Sequence, residues 1–235
     1  MENARVSTLG EKDFIIRFGT ITEDEHQQYL LAFQDTFGEF EERRYEAIGP
    51  SIGAELRGRA RMAIALVLIG ISLYVAYAFR KTSGIIPSWK YGFITLATLF
   101  HDVIIPIGFF SFLGVQRGIE VDINFVVAML VIMGFSVHDT IVIFDRIREN
   151  LMLSRQRLSK AQVALGEVIN ASVWQSFARS VNISLTLVLV LLALLWFGPA
   201  TLTYFILAIL IGTIVGTYSS LFVASPLLDL IAKER

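Results

Sequence analysis

Five long apolar runs separated by short polar breaks fill most of the chain beyond residue 61. They cover residues 62–79, 91–115, 121–144, 181–197 and 202–223, each near the ~20 residues that cross a bilayer as a helix. The first closes on Arg80 and Lys81, and the second is interrupted by His101, Asp102 and Pro106. The third ends abruptly in Asp145-Arg146-Ile147-Arg148-Glu149. Ahead of these runs the pattern is that of a soluble piece. Residues 13–18 read as a strand, and residues 22–37 as a helix with Tyr29, Leu30, Phe33 and Phe37 on one face. Thr22 and Glu25 stand at capping-box spacing at the helix start, and residues 40–48 alternate enough for another strand. Gly49, Pro50 and Gly53 then break the pattern, predicting a hinge within a linker over residues 49–61. Between the third and fourth runs, residues 146–179 are amphipathic and basic, predicting one interfacial helix capped by Ser159 and Gln162.

The fold class that follows is an all-α polytopic membrane protein. A partial α/β domain (1–48) precedes a linker (49–61) and a membrane domain (62–230). Composition agrees: 54% of the 235 residues are hydrophobic, only 17% are charged, and the mean hydropathy is +0.62. The net charge is −1, most of the charged residues lie in residues 1–61 and 145–181, and no basic face suggests nucleic-acid binding. Without cysteine there is no disulfide framework and no thiol chemistry.

Lysine and arginine set the orientation. Six of them between residues 145 and 181 put that segment in the cytoplasm, together with the C-terminus. Residues 1–61 then fall outside, although no signal peptide opens the chain. This topology predicts a further membrane helix upstream, and hence that the chain is a piece of a longer protein.

Asp139 is the residue of most interest, because a carboxylate within hydrocarbon is costly and has a partner or a proton. It lies six residues before Asp145, about 9 Å inside the cytoplasmic end. Arg179 opens the fourth run at similar depth, so an Asp139–Arg179 pair released by protonation would make a proton-driven switch. The plainer readings are an arginine snorkelling to the headgroups and a carboxylic acid hydrogen-bonded between helices. His138 is turned about 100° from Asp139 on a helix, and is either a proton relay or a packed residue. Asp102 lies near mid-bilayer, where Pro106 frees its backbone carbonyl, so a functional and a structural role are both open. Ser136, Thr140, Asn182, Ser184 and Thr186 are small polar residues at the depth of Asp139. Gly212 and Gly216 allow close helix contact. No metal-ligand spacing, phosphate loop or nucleophile motif occurs, so neither a metal site nor an enzyme is expected.

Gly134-Phe135-Ser136-Val137-His138-Asp139-Thr140, followed by Phe144-Asp145-Arg146-Ile147-Arg148-Glu149-Asn150, resembles SecF, the smaller half of the bacterial SecDF protein-export complex. Ile48-Gly49-Pro50-Ser51-Ile52-Gly53, His101-Asp102-Val103 and the stretch from Ala178 to Thr186 fit as well. The resemblance implies an RND-like bundle, with five of six helices present, in the bacterial inner membrane. It further implies a periplasmic N-terminal domain, a cytoplasmic C-terminus and the proton gradient as driver, without a cofactor. The implied partners are a SecD-like subunit, the SecYEG translocon and translocating chains. By motif position, Asp139 and Arg179 match the family's proton pathway, with Asp102 and His138 as further candidates. The family usually has Asn at His138, so no role carries over to that histidine. Two alternatives stand beside this reading: an RND-type exporter of small molecules or lipids, and a non-transporting membrane scaffold.

Overall fold

A computed structural model describes residues 4–9, 13–17, 19, 21–43, 45, 50–80, 86–119, 121–157 and 164–233. The chain folds as two compact units, Met1–Met62 and Ala63–Arg235.

In the first unit, β1 (Arg5–Leu9) pairs antiparallel with β2 (Asp13–Arg17), Arg5 opposite Arg17 and Leu9 opposite Asp13. β2 is the expected strand, whereas β1 is an addition to the sequence-based expectation. α1 (Glu23–Phe37) starts where the spacing placed it. The Thr22 N–H donates to Glu25 Oε2 at 2.8 Å, and the Glu25 N–H donates to Thr22 Oγ1 at 3.4 Å. The strand expected over residues 40–48 does not form at residues 40–43 or 45; the others of that stretch lie outside the described residues. The side chains there bind α1 instead. Glu42 Oε1 sits 2.9 Å from His26 Nε2, and the Tyr45 ring stacks on His26 with centroids 3.7 Å apart.

The capping box makes the start of α1 sensitive to acid. The Thr22 backbone and hydroxyl bonds hold the Glu25 carboxyl below its ordinary value of 4.5. A depressed folded value means that the stabilisation is present above 4.5 and is lost as pH falls below it. Amide exchange in the first turn of α1 should therefore accelerate on acidification below that value, more than in its last turn. Thr22→Ala should abolish the difference.

Among the described residues, five helices are long and apolar enough to span a membrane. α2 (Pro50–Ala78), which begins within the first unit, leads to α3 (Ser88–Arg117), α4 (Ile123–Arg157) and α5 (Leu165–Phe197). The last path is composite: a 3-10 turn (Ala200–Leu202), α6 (Thr203–Ser219), a π turn (Ser220–Ala224) and α7 (Ser225–Lys233). α3 runs through Pro106 without a break.

Two expectations are corrected. The predicted linker is helical from Pro50 onward, so Pro50 and Gly53 lie in the first turn of α2 and not in an irregular break; Gly49 lies outside the described residues. Proline suits that place because a first-turn N–H has no intrahelical partner to lose. Nor is there a separate interfacial helix over 146–179. α4 continues to Arg157 and α5 begins at Leu165, while Ser159 and Gln162 lie outside the described residues. The helices extend because Ile147, Leu151 and Ile169 join one buried cluster with Ile143 and Leu228.

That cluster is anchored by three rings. Phe79 stacks on Tyr91 at 4.7 Å, and Phe144 sets its edge against both, at 6.1 and 5.3 Å. A second cluster joins Phe110, Met129, Ile132, Leu191, Ile206 and Ile209. Between these apolar ends α6 approaches α4 closely: a Cβ on Gly212 would stand 2.4 Å from Ile132 Cδ1, and one on Gly216 would stand 3.3 Å from Ser136 Cβ.

Candidate functional site

Between the two apolar clusters lies a layer of buried hydroxyls holding two acids. On α4, Ser136, Asp139 and Thr140 fall within one turn and all turn inward. Asp139 Oδ1 accepts a hydrogen bond from the Ser180 hydroxyl of α5. Its Oδ2 is buried and has no hydrogen-bond partner among the described residues. Thr140 Oγ1 lies 2.9 Å from Ser220 Oγ, and Thr217 Oγ1 donates to Ser184 Oγ at 2.6 Å.

Asp102, on α3, is held quite differently. It is 0% exposed, and its Oδ2 accepts from Ser136 Oγ at 2.5 Å and from Ser219 Oγ at 2.6 Å. Its Oδ1 faces His101 Nδ1 at 2.9 Å. Serine hydroxyls from two other helices thus converge on one carboxylate oxygen. The π turn helps place them. Its wider winding follows Ser219, so Ser219 reaches α3 while the next residue, Ser220, reaches α4.

Arg179 is where the sequence expectation fails. It makes no ion pair with Asp139 and stands exposed. The reason is helical phase. Ser180 takes the inward position beside Asp139, and the preceding residue points about 100° away. Arg179 instead lines a cleft of about 330 Å³ together with Tyr74, Phe79, Asp145 and Arg148. In that cleft Arg148 Nη2 pairs with Asp145 Oδ1 at 2.7 Å, and Arg148 Nη1 donates to the Ala78 carbonyl at 3.3 Å.

His138 also faces outward, as its phase relative to Asp139 requires. Of the small polar residues, Ser136, Thr140 and Ser184 are buried in the layer. Asn182 and Thr186 are exposed, and Thr186 Oγ1 donates back to the Asn182 carbonyl at 2.6 Å. Sequence reasoning missed Ser180, Thr217, Ser219 and Ser220. One signal was available on α5: Ser172, Ser176, Ser180 and Ser184 recur every fourth residue in an apolar helix, and all four are buried. Among the described residues, no group of three or more His, Asp or Glu is arranged to hold a metal ion.

A five-span helical bundle with two acids inside a hydroxyl layer belongs to the class of polytopic membrane proteins with an intramembrane carboxyl site. Residues 28–234 match the family of protein export membrane proteins SecD/SecF, C-terminal, and the chain belongs to that family. Among its relatives, the protein translocase subunit SecF of Thermobaculum terrenum is 46% identical over 192 residues, 82% of this chain and 58% of that protein. SecF of Anaerolinea thermophila is 35% identical over 226 residues, 95% of this chain and 70% of that protein. The protein translocase subunit SecDF of Bacillus subtilis is 37% identical over 82% of this chain but only 24% of its own length. A crystal structure of SecDF in a super-membrane-facing form superposes with a TM-score of 0.69 at 33% identity, covering 93% of this chain and 27% of that one. The chain thus spans 58–70% of the length of these two SecF relatives.

Proposed function

We propose that the chain acts as a SecF-type subunit that uses the proton gradient to assist translocation of secreted proteins across the bacterial inner membrane. The observation that carries the reading is the state of Asp139: a buried carboxyl with one oxygen hydrogen-bonded to Ser180 and the other without a partner among the described residues. A bare buried oxygen is where a proton resides, because an unsatisfied polar atom in a dry interior is costly and protonation removes the charge. When the proton leaves, the carboxylate must draw new donors. The nearest movable elements are α5, through Ser180, and α6 with the π turn that follows it, whose Thr217 and Ser220 hydroxyls bond to α5 and α4 respectively.

Arg179 enters this scheme from outside the bundle. It faces away from Asp139, so its counter-charge is a carboxylate of a SecD-type partner packed against α5 rather than Asp139 itself. The B. subtilis relative, named as SecDF, supports such a partner. SecYEG and the translocating chain complete the assembly. The cytoplasmic C-terminus and outer N-terminal unit follow from the lysine and arginine distribution. The proton gradient is the proposed driver, with no cofactor and no enzymatic step. Asp139 and Arg179 are the proposed pathway residues, with Asp102 beside them. His138, outward-facing, is assigned to the partner side. An exporter of small molecules or lipids draws no support from any site described above.

Asp139→Asn keeps the size and the Ser180 contact but cannot lose a proton at this depth. In vesicles containing the partner subunit and translocon, it should abolish gradient-dependent stimulation of export while the complex still co-purifies. Undiminished stimulation in that variant would remove the proposal. A complex that translocates normally without a gradient would point to the scaffold alternative.

A further inference from the structure

Asp102 and Asp139 are both buried acids in one layer, yet their surroundings impose different chemistry. Each carboxylate oxygen has two lone pairs. On Asp102 Oδ2, the Ser136 and Ser219 hydroxyls occupy both. That oxygen has no position left for a proton of its own. Any proton exchanged at Asp102 must pass through Oδ1, and Oδ1 faces His101 Nδ1 at 2.9 Å. The His101 side chain is 37% exposed, so its ring extends from the sealed carboxylate to the outer surface of α3.

We propose that His101 and Asp102 form a second proton-binding unit of the bundle, in which Asp102 is served only through the His101 ring. This rests on the proton-driven reading given above and adds to it a residue, His101, and a route by which Asp102 is reached. Without the extra proton, neutral His101 donates Nδ1–H to Oδ1, and the pair carries the single negative charge of Asp102. On uptake, a proton from outside α3 binds His101 Nε2, no covalent bond to carbon changes, and the pair becomes an imidazolium facing a carboxylate with no net charge. Release reverses the same step at Nε2. The serines stay as donors throughout, so α3, α4 and α6 remain tied together in both states.

The ionisable neighbours of this unit are few. From α4 comes Asp139, one helical turn beyond the Ser136 that bonds Asp102. α6 and the π turn present hydroxyls and contain no Asp, Glu, Lys, Arg or His. Two carboxylates in one layer repel when both are ionised, so a proton held at His101 offsets the charge that Asp139 acquires on releasing its own. The outward-facing His138 has no such acceptor among the described residues, which separates the roles of the two histidines.

The chain has only three histidines, His26, His101 and His138, so uniform ¹⁵N-histidine labelling yields a simple spectrum. The experiment is a pH titration by solid-state NMR of the labelled chain with its partner subunit in lipid, with His26→Asn and His138→Asn used for assignment. The expected result is a His101 Nδ1 that stays a hydrogen-bonded N–H while Nε2 gains and loses a proton. Asp102→Asn should displace that midpoint by about one pH unit or more while leaving the His138 signal unmoved. A His101 signal indifferent to Asp102→Asn, or an Nε2 that never exchanges between about pH 5 and 9, would overturn the proposal. Should Asp102→Asn not assemble, the double variant Ser136→Ala/Ser219→Ala opens Oδ2 to a proton and must also change the His101 titration. No change there counts equally against the proposal. The readout is a ring nitrogen and not export, so a failure of the Asp139 experiment and a failure of this one remain distinguishable.

Discussion

Phe144→Ala is expected to lower the stability of the membrane unit by about 3 kcal/mol, toward the lower end of the range for removing a buried ring. Phe144 is 0% exposed, and its edge is fixed between Phe79 and Tyr91, so α3, α4 and the residue that directly follows α2 meet at one side chain. The lower end applies because lipid is itself apolar: a ring leaving the bundle loses packing contacts more than it gains water. Thermal unfolding in detergent should show a loss of roughly 6–12 °C for this size of protein. Trp196→Ala is the control, since that ring is 76% exposed and its removal should change stability by no more than about 0.5 kcal/mol. Equal shifts for the two variants would mean that the three-ring contact does not hold α2, α3 and α4 together.

The second large effect comes from adding atoms. In Gly212→Ala the new methyl would lie 2.4 Å from both Ile132 Cδ1 and Cγ1 and 2.8 Å from Cγ2. Ile132 is branched at Cβ and buried, so no single rotamer change clears all three atoms. The helices must separate, at about 1–3 kcal/mol for overpacking of this kind. In an Ile132→Ala background the same substitution should cost far less, and the difference between the two backgrounds measures the contact itself. Additive effects would show that α6 and α4 do not meet there. Separation would also reach the polar layer, because Gly216, one turn on from Gly212, lies against Ser136 with Asp102 Oδ2 3.7 Å from its would-be Cβ.

Much of this was legible in the sequence. Span number follows from run length, and the capping box at Thr22 from two residues at fixed spacing. The place of Asp139 within a span-length helix follows from the apolar run around it. What the sequence could not convey was rotation. Hydropathy and rise per residue place Asp139 and Arg179 only by expected depth along their helices. Which residue of the Arg179-Ser180 pair faces inward depends on how α5 is turned, and only its serine periodicity hinted at that. Gly49-Pro50-Gly53 reads as a break because glycine and proline punctuate most chains, but proline at a helix start is as natural as proline in a turn. The 146–179 stretch reads as one element because its polarity is uniform, although buried Ile147, Leu151 and Ile169 assign its two ends to different helices. The π turn leaves no compositional trace at all.

That turn has a mechanical consequence. A π turn holds more residues per revolution than an α-helix, so rewinding Ser220–Ala224 as α-helix would swivel everything after it by a sizeable fraction of a revolution. Ser220 would lose its seat against Thr140, and Leu228 would swing out of its pocket among Ile143, Ile147 and Ile169. The hydroxyls beside the acids and the C-terminal foot of the last helix are therefore geared together, and neither can be reset without turning the other.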